Sequence, residues 1–270
     1  MQVGTATVTI TAENKIATYG TALGQSVSVS GLANSDSVDS VVYTYAGSGS
    51  TSYTASTTRP TAVGGYSITP SSVVLSAGSS SNYSFNYVAG TATINKKGIT
   101  VTGSSPTVLY GASVPTITPL YSSDFAYGET SSVVSNTACT TDYVRTANVG
   151  SAPATSCSGA TASNYSFTYL DGSVNVQKKT LAVTASSPSA TYGVAASTIT
   201  VTPLYSNWAN SDTSSVIDTA PTCSTAFTNT SAVGSAPYTR CSGGSDNNYS
   251  FSFVDGAVLV GAATVTITAE

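Results

Sequence analysis

The sequence predicts an all-β protein of three tandem small modules, each a β-sandwich or a β-grasp-like sheet, arranged as an elongated rod. One stretch recurs three times, as NYSFNYVAGTATINKK (82–97), NYSFTYLDGSVNVQKK (164–179) and NYSFSFVDGAVLVGAA (248–263). Within it, Tyr165, Phe167 and Tyr169 alternate with Ser166 and Thr168, the two-residue period of a half-buried strand. Only 7% of the chain is charged, so hydroxyls and small residues rather than charges must coat the surface. By length alone 270 residues would make one large or two ordinary domains, but the repeats override that prior.

Each copy of the stretch reads as a β-hairpin. Asp171-Gly172 and Asp255-Gly256 offer the two positive-φ positions of a tight turn, and Ala89-Gly90 a poorer version. The return strands, 91–94, 173–176 and 257–260, are short and β-prone. Asn82, Asn164 and Asn248 stand just before the first strand, where an Asn commonly closes a turn.

In chain order, residues 1–6 read as the remnant of a preceding module, with Met1 an added start. Module one (7–97) opens with a strand at 7–12, passes through a linker containing Tyr19-Gly20, and forms a second strand at 26–30. A polar loop from Gly31 follows, with one helical turn capped by Ser35 or Asp36. Further strands are expected at 41–45, 53–56, 63–68 and 73–75. Module two (98–179) repeats the plan with strands at 99–102 and 115–121, Tyr110-Gly111 between them, a polar loop at 124–130, and Val149-Gly150. Module three (180–262) matches, with strands at 181–184 and 199–205, Tyr192-Gly193, the loop Asn210-Ser-Asp-Thr213, and Val233-Gly234. Residues 263–270 read as the first strand of a following module, because GAATVTITAE (261–270) differs from GTATVTITAE (4–13) only at Ala262 versus Thr5. The chain therefore reads as a window on a longer array.

Only Lys96-Lys97-Gly98 and Lys178-Lys179-Thr180 separate neighbouring modules, too little for a flexible linker, so the modules should be held in a nearly fixed line. The paired lysines read as solvated charges that keep a strand junction from pairing with other chains.

Four cysteines allow three connectivities. Cys139 and Cys157 repeat the spacing of Cys223 and Cys241, which selects one bridge within each of modules two and three; module one has Leu75 at the place of the second cysteine. A loop of this length would contribute about 3 kcal/mol. Disulfides point to an oxidising compartment, and so to a secreted or cell-surface protein.

The chain has no histidine, hence no Ser-His-Asp triad, and its twelve acidic residues form no pair suited to glycoside hydrolysis. No enzyme activity, cofactor or metal is expected. Asp36, Asp124 and Asp212 recur in the polar loop and read as caps rather than calcium ligands. No basic cluster exceeds the lysine pairs, which argues against nucleic acid. No apolar run approaches the roughly 18 residues of a membrane span, and the N-terminus lacks the features of a signal peptide. Asn82, Asn164, Asn248 and Asn229 fit the glycosylation sequon but read as structural asparagines. Trp208 and Tyr205, in the loop region 204–213, are the candidate ligand contacts, since aromatics stack on sugars; Trp208 has no counterpart in the other modules.

The ordered series Leu181-x-Val-Thr-Ala185, Tyr192-Gly193, Asn210-Ser-Asp-Thr213, Val233-Gly234, Cys241-Ser-Gly243 and Asn164-Tyr-x-Phe-x-Tyr-x-Asp-Gly172 resembles the MBG repeat, YGX type, of bacterial surface adhesins. The resemblance covers nearly all of 7–260 and is weaker in module one. It implies mostly-β modules in tandem within long secreted or cell-surface proteins, with adhesive or spacer roles, and brings no catalytic residues.

The expected function is a structural repeat segment of a large extracellular adhesin or fibre, a semi-rigid stalk or spacer. Its partners would be neighbouring modules of the same chain or identical chains end to end. The alternatives are a filament subunit joined by strand addition through the terminal TVTITAE, or a module binding glycan or a host glycoprotein.

Overall fold

A computed structural model describes residues 4–269; residues 1–3 and Glu270, and with them the reading of Met1, lie outside the described residues. The chain is nearly all β. Its first third holds β1 (Ala6–Ala12), β2 (Lys15–Thr18), β3 (Val27–Ser30), β4 (Ser37–Ser48), β5 (Gly64–Ala77), β6 (Tyr83–Val88) and β7 (Gly90–Asn95). The second holds β8 (Lys97–Gly103), β9 (Thr107–Leu109), β10 (Pro119–Tyr121), β11 (Ala138–Thr141), β12 (Ala154–Ser158), β13 (Tyr165–Leu170), β14 (Gly172–Ser173) and β15 (Asn175–Gln177). The third holds β16 (Lys179–Ala185), β17 (Ser189–Thr191), β18 (Pro203–Ser206), β19 (Thr222–Thr225), β20 (Tyr238–Ser242), β21 (Tyr249–Val254), β22 (Gly256–Ala257) and β23 (Leu259–Gly261). These three sets are modules one, two and three below.

Each module is organised around its first long strand. β1, β8 and β16 are the central strands of the three-stranded sheets β3-β1-β6, β10-β8-β13 and β18-β16-β21. Their alternation explains the position: Val8, Ile10, Leu181 and Val183 are fully buried, with threonines and alanines between them. The strand carrying Asn-Tyr-Ser-Phe runs parallel to this centre, Ala6–Thr11 beside Tyr83–Val88 and Lys179–Thr184 beside Tyr249–Val254. In module one a second sheet, β2-β7-β5-β4, packs over the first. Val8, Ile10 and Tyr83 from one side meet Val38, Val41, Val73 and Leu75 from the other. Module one is thus a two-layer sandwich.

The expected hairpin does not exist. β6 belongs to the first sheet and β7 to the second, and in module three β21 likewise parts from β22 and β23. Among the described residues none of Ala89, Gly90, Asp171, Gly172, Asp255 and Gly256 has positive φ, so no tight turn forms there. The glycines serve a close approach instead. A Cβ on Gly90 would collide with the Ala12 carbonyl, on Gly172 with that of Gly103, and on Gly256 with that of Ala185. Each of these carbonyls ends the module's central strand, and the chain crosses it on its way between sheets.

Other expectations shift as well. The strands foreseen at 41–45, 63–68 and 73–75 merge into the long antiparallel pair β4–β5, which carries register irregularities, while 53–56 adds only an isolated bridge of Ser56 to Tyr45. The strands foreseen at 115–121 and 199–205 shorten to β10 and β18. Pro115 lacks a ladder N–H, and a 3-10 turn at Ala196–Thr198 occupies the approach to β18. Where a linker was foreseen around Tyr19-Gly20 and a turn at Tyr110-Gly111, the short strands β2, β9 and β17 lead into a turn at each of the three Tyr-Gly pairs. Residues 263–269, expected to be a strand, carry no strand assignment.

By contacts, the chain divides into two compact units. One comprises Met1–Thr102, Pro119–Ala138 and Cys157–Leu170; the other comprises Gly103–Thr118, Cys139–Ser156 and Asp171–Glu270. Each unit therefore holds one complete terminal module together with half of module two.

Candidate functional site

The first half of the site is the Tyr-Gly turn. β2, β9 and β17 run parallel to β7, β15 and β23. The ladder continues into the tyrosine, whose N–H donates to Asn95 O (Tyr19, 2.9 Å), Gln177 O (Tyr110, 2.8 Å) or Gly261 O (Tyr192, 2.9 Å). The chain then reverses at the glycine, with φ of 92° at Gly20, 78° at Gly111 and 89° at Gly193. A turn with positive φ at its third residue favours glycine there. The fixed tyrosine is thereby presented on a rigid corner.

The second half is a four-residue loop repeated as Ala33-Asn-Ser-Asp36, Ala126-Tyr-Gly-Glu129 and Ala209-Asn-Ser-Asp212. Its two central residues are both left-handed: Asn34 and Ser35, Tyr127 and Gly128, Asn210 and Ser211. The acidic residue's N–H closes the turn on the alanine carbonyl, at 2.9 Å for Asp36 and Glu129 and 2.7 Å for Asp212. The tyrosine of Asn-Tyr-Ser-Phe locks each turn. Tyr165 Oη donates to Glu129 Oε2 (2.5 Å) and accepts from Ala126 N (2.8 Å). Tyr249 Oη does the same with Asp212 Oδ2 (2.7 Å) and Ala209 N (2.9 Å), and Tyr83 Oη with Asp36 Oδ2 (2.6 Å) and Ala33 N (3.2 Å). The expected helical turn capped by Ser35 or Asp36 is therefore a left-handed turn, and Asp36 accepts a phenol. Asp124 is not part of this set; its place belongs to Glu129, and Asp124 is exposed. Among the described residues no group of three potential metal-ligating side chains gathers.

Inside each unit the two halves meet across a module boundary. In the first unit the Tyr19 ring of module one meets the Tyr165 ring of module two edge to face, centroids 5.4 Å apart. Tyr19 Oη also donates to Glu129 Oε1 at 3.1 Å, so one carboxylate receives two phenols. In the second unit Tyr110 of module two meets Tyr249 of module three in the same way, again at 5.4 Å. The glycine lets the backbone close up: a Cβ on Gly20 would lie 2.6 Å from the Ala126 Cβ, and one on Gly111 would collide with the Ala209 Cβ. A third link comes from the asparagine before the tyrosine. Asn164 Oδ1 accepts from Val63 N (3.3 Å), and Asn248 Oδ1 from Val149 N (2.9 Å). Val63 and Val149 belong to the Val-Gly pairs of the preceding module, which gives both recurring motifs one shared purpose.

The joints are buried cores. Tyr19, Leu23, Tyr45 and Ile94 of module one form one cluster with Ile99, Ala126 and Tyr165 of module two. Tyr110, Tyr143 and Val176 of module two do so with Leu181, Ala209 and Tyr249 of module three. Burial, followed by the Glu129 hydrogen bond, pushes the Tyr165 phenol up to about 12. Burial likewise raises Tyr249, Tyr19 and Tyr110 above the ordinary phenol range. The junction lysines are more than solvated charges: Lys96 Nζ donates to Ala162 O (3.1 Å), Lys178 Nζ to Asp246 O (2.7 Å) and Lys179 Nζ to Trp208 O (3.1 Å).

Trp208 and Tyr205 are both half-buried. Trp208 lies 5.4 Å from each of the Tyr205 and Tyr249 rings, and both candidate contact residues pack against the cluster that joins modules two and three. Phe125, before Ala126, packs on Tyr121 and Tyr165 in the same way, so Trp208 does have a counterpart in module two. Cys223 and Cys241 sit opposite each other on β19 and β20 and are disulfide-bonded. Among the described residues no cysteine is free. The roles of Glu129, Ala126 and Ala209 were missed from sequence. Their signal was the aligned Ala-x-x-acid tetrad, hidden because Glu replaces Asp and Tyr-Gly replaces Asn-Ser in module two.

Fold and joint together define a class: tandem β-modules whose repeated motifs build the contacts between neighbours. The chain belongs to the MBG domain (YGX type) family, whose model matches residues 8–93, 99–175 and 181–259. Comparison with curated proteins gives no match. Among solved structures it is similar to the three N-terminal domains of the bacteriophage RB49 Highly Immunogenic Outer Capsid protein (Hoc). That match has 10% identity and a TM-score of 0.30, and covers 96% of this chain and 100% of that one. It is also similar to Drosophila N-cadherin EC1-4, at 10% identity and a TM-score of 0.30, covering 98% of this chain and 77% of that one.

Proposed function

We propose that the chain is a structural segment of a secreted or cell-surface adhesin or fibre, serving as a semi-rigid stalk or spacer. The supporting observation is the joint. In each unit a Tyr-Gly turn is seated in the next module's tyrosine–carboxylate corner, and a core of buried side chains runs through the boundary. Such a boundary resists bending, because tilting it would expose buried rings and, in the first unit, unpair the Tyr19 phenol from Glu129. The Cys223–Cys241 bridge fits an oxidising compartment. The module limits 7–97, 98–179 and 180–262 and a Cys139–Cys157 bridge, suggested by the repeated spacing, are part of this proposal. Among the described residues no helix is long and apolar enough to cross a membrane.

Small-angle scattering on the chain and on a Gly20→Val, Gly111→Val double variant tests the reading. The parent should fit one extended conformation, and the variant should need an ensemble of bent ones. A parent that already needs a broad ensemble would remove the stalk reading.

A second reading, a filament subunit joined by strand addition, draws on residues 264–269. They repeat the sequence of β1, yet Val265 is 80% and Ile267 91% exposed, whereas their counterparts Val8 and Ile10 are fully buried.

A further inference from the structure

Among the described residues tyrosine rings meet as pairs at Tyr19–Tyr127, Tyr19–Tyr165, Tyr110–Tyr249 and Tyr53–Tyr66. The first pair differs from the rest in having a ring that solvent reaches freely. Tyr127 is 57% exposed, whereas Tyr19, Tyr66, Tyr110, Tyr165 and Tyr249 are buried and Tyr53 is half-buried. Tyr127 also stands in a strained place. It is the first left-handed residue of the module-two corner, at φ 52°, where the other two corners carry Asn34 and Asn210. Asparagine tolerates that conformation, while a bulky side chain there is an outlier. Strain of this kind persists where the surroundings hold it, and it points to function. What Tyr127 gains is the Tyr19 ring across the joint, met edge to face with centroids 5.3 Å apart.

The surroundings of this pair suit one-electron oxidation. Tyr19 Oη donates to Glu129 Oε1, so a base stands within hydrogen-bond reach of the proton that a phenol sheds when it loses an electron. The Tyr53–Tyr66 pair has backbone acceptors instead, with Tyr53 Oη donating to Thr58 O and Tyr66 Oη to Ala62 O. Tyr249 has the Asp212 carboxylate, but both it and Tyr110 are buried. Few side chains compete for an oxidant. The chain has 17 tyrosines against one tryptophan and one methionine, and among the described residues no cysteine is free.

We propose that Tyr19 and Tyr127 are the site of an oxidative cross-link, a bond between the ring carbons ortho to their hydroxyls, which fixes module one to module two covalently. The co-reactant is a peroxide, used through a peroxidase-type one-electron oxidant. Electrons leave by way of the exposed Tyr127. The first vacancy passes to the adjacent Tyr19, whose phenolic proton goes to Glu129. The second leaves Tyr127 itself as a radical, and its proton goes to water. Tyr127, being exposed, has room to turn onto the Tyr19 edge, and the two radicals couple at their ortho carbons. The hydrogens on those carbons then move to the two oxygens, which restores both phenols, and Glu129 passes its proton to water. In sum the protein loses two hydrogens, one carbon–carbon bond forms, and the peroxide is reduced to water. The proposal goes beyond the stalk reading and does not depend on it, because both rings belong to the first unit.

Treating the full chain with a peroxidase and dilute hydrogen peroxide tests this. Dityrosine fluorescence should appear while the chain still runs as a single copy on a denaturing gel. Tryptic mapping by mass spectrometry should find the peptide of Tyr19 joined to that of Tyr127, two hydrogens lighter than their sum. In Tyr127→Phe, which keeps the ring but not the hydroxyl, this link should fall at least tenfold with the unfolding midpoint unchanged. In urea, coupling should scatter over many tyrosines. Absence of dityrosine under conditions that couple free tyrosine overturns the proposal. So does a dominant link between other tyrosines, equal coupling in Tyr127→Phe, or the same single link in urea. Each of these readings concerns only the link, so the stalk reading stands or falls separately by scattering.

Discussion

Tyr19 and Tyr165, which belong to different modules, meet at an interplanar angle of 82° and share the carboxylate of Glu129. Tyr165 in turn holds the buried N–H of Ala126. A phenol, a carboxylate and a backbone amide thus connect the end of one repeat to the start of the next, and the consequences can be measured.

Removing only the Tyr165 hydroxyl should weaken the first unit. In Tyr165→Phe the Ala126 N–H loses its acceptor in a buried place, a change that costs about 1–3 kcal/mol. Tyr83→Phe is the comparison: its Ala33 is exposed, so water can replace the phenol and the loss should be smaller. Urea denaturation of the two variants gives the difference. Equal losses would mean that the seated turn adds nothing.

Glycine-to-alanine changes separate backbone strain from joint closure. Gly193→Ala meets only the left-handed penalty of about 1–2 kcal/mol. Gly20→Ala carries the same penalty and must also push Ala126 away from a 2.6 Å approach. Gly20→Ala should therefore be the more destabilising, and limited proteolysis should cut it near the first boundary. The same stability for both would contradict the packing of the joint.

Alkaline pH should loosen the joints. The Tyr165 phenol is raised to about 12 by burial, with Tyr19, Tyr110 and Tyr249 raised as well. In the unfolded chain these phenols ionise near pH 10, so above that pH the unfolded state binds fewer protons and stability falls. Stability should be level below about pH 10 and decline as pH climbs toward about 12. Tyrosinate absorbance recorded alongside circular dichroism reads both events. Full ionisation of all tyrosines near pH 10 with the fold intact would contradict the buried joints.

Breaking the module-three disulfide should act locally. Its cysteines are 18 residues apart, and closing a loop of that length stabilises by about 3 kcal/mol. A Cys223→Ser, Cys241→Ser variant should lower the unfolding midpoint of the second unit, with hydrogen exchange near β19 and β20 rising first. Uniform exchange over the whole chain would show that the units do not unfold separately.

Much was legible in the sequence. The three copies and the opening strands β1, β8 and β16 follow from repetition and a two-residue period, because alternation determines which side chains share a face; their central place in each sheet does not. The Tyr-Gly, Val-Gly and Asn-Tyr-Ser-Phe motifs were visible as landmarks. Tertiary structure alone decided what each landmark touches. Alternation names a strand's face but not its partner, so β6 and β7, adjacent in sequence, were mistaken for a hairpin when each belongs to a different sheet. Nor can a repeat pattern show that Tyr19 seeks Tyr165 in the following copy rather than Tyr83 in its own. Both are the same residue in the same local sequence, and only packing across the boundary, where Gly20 admits Ala126 and Glu129 accepts two phenols, distinguishes them.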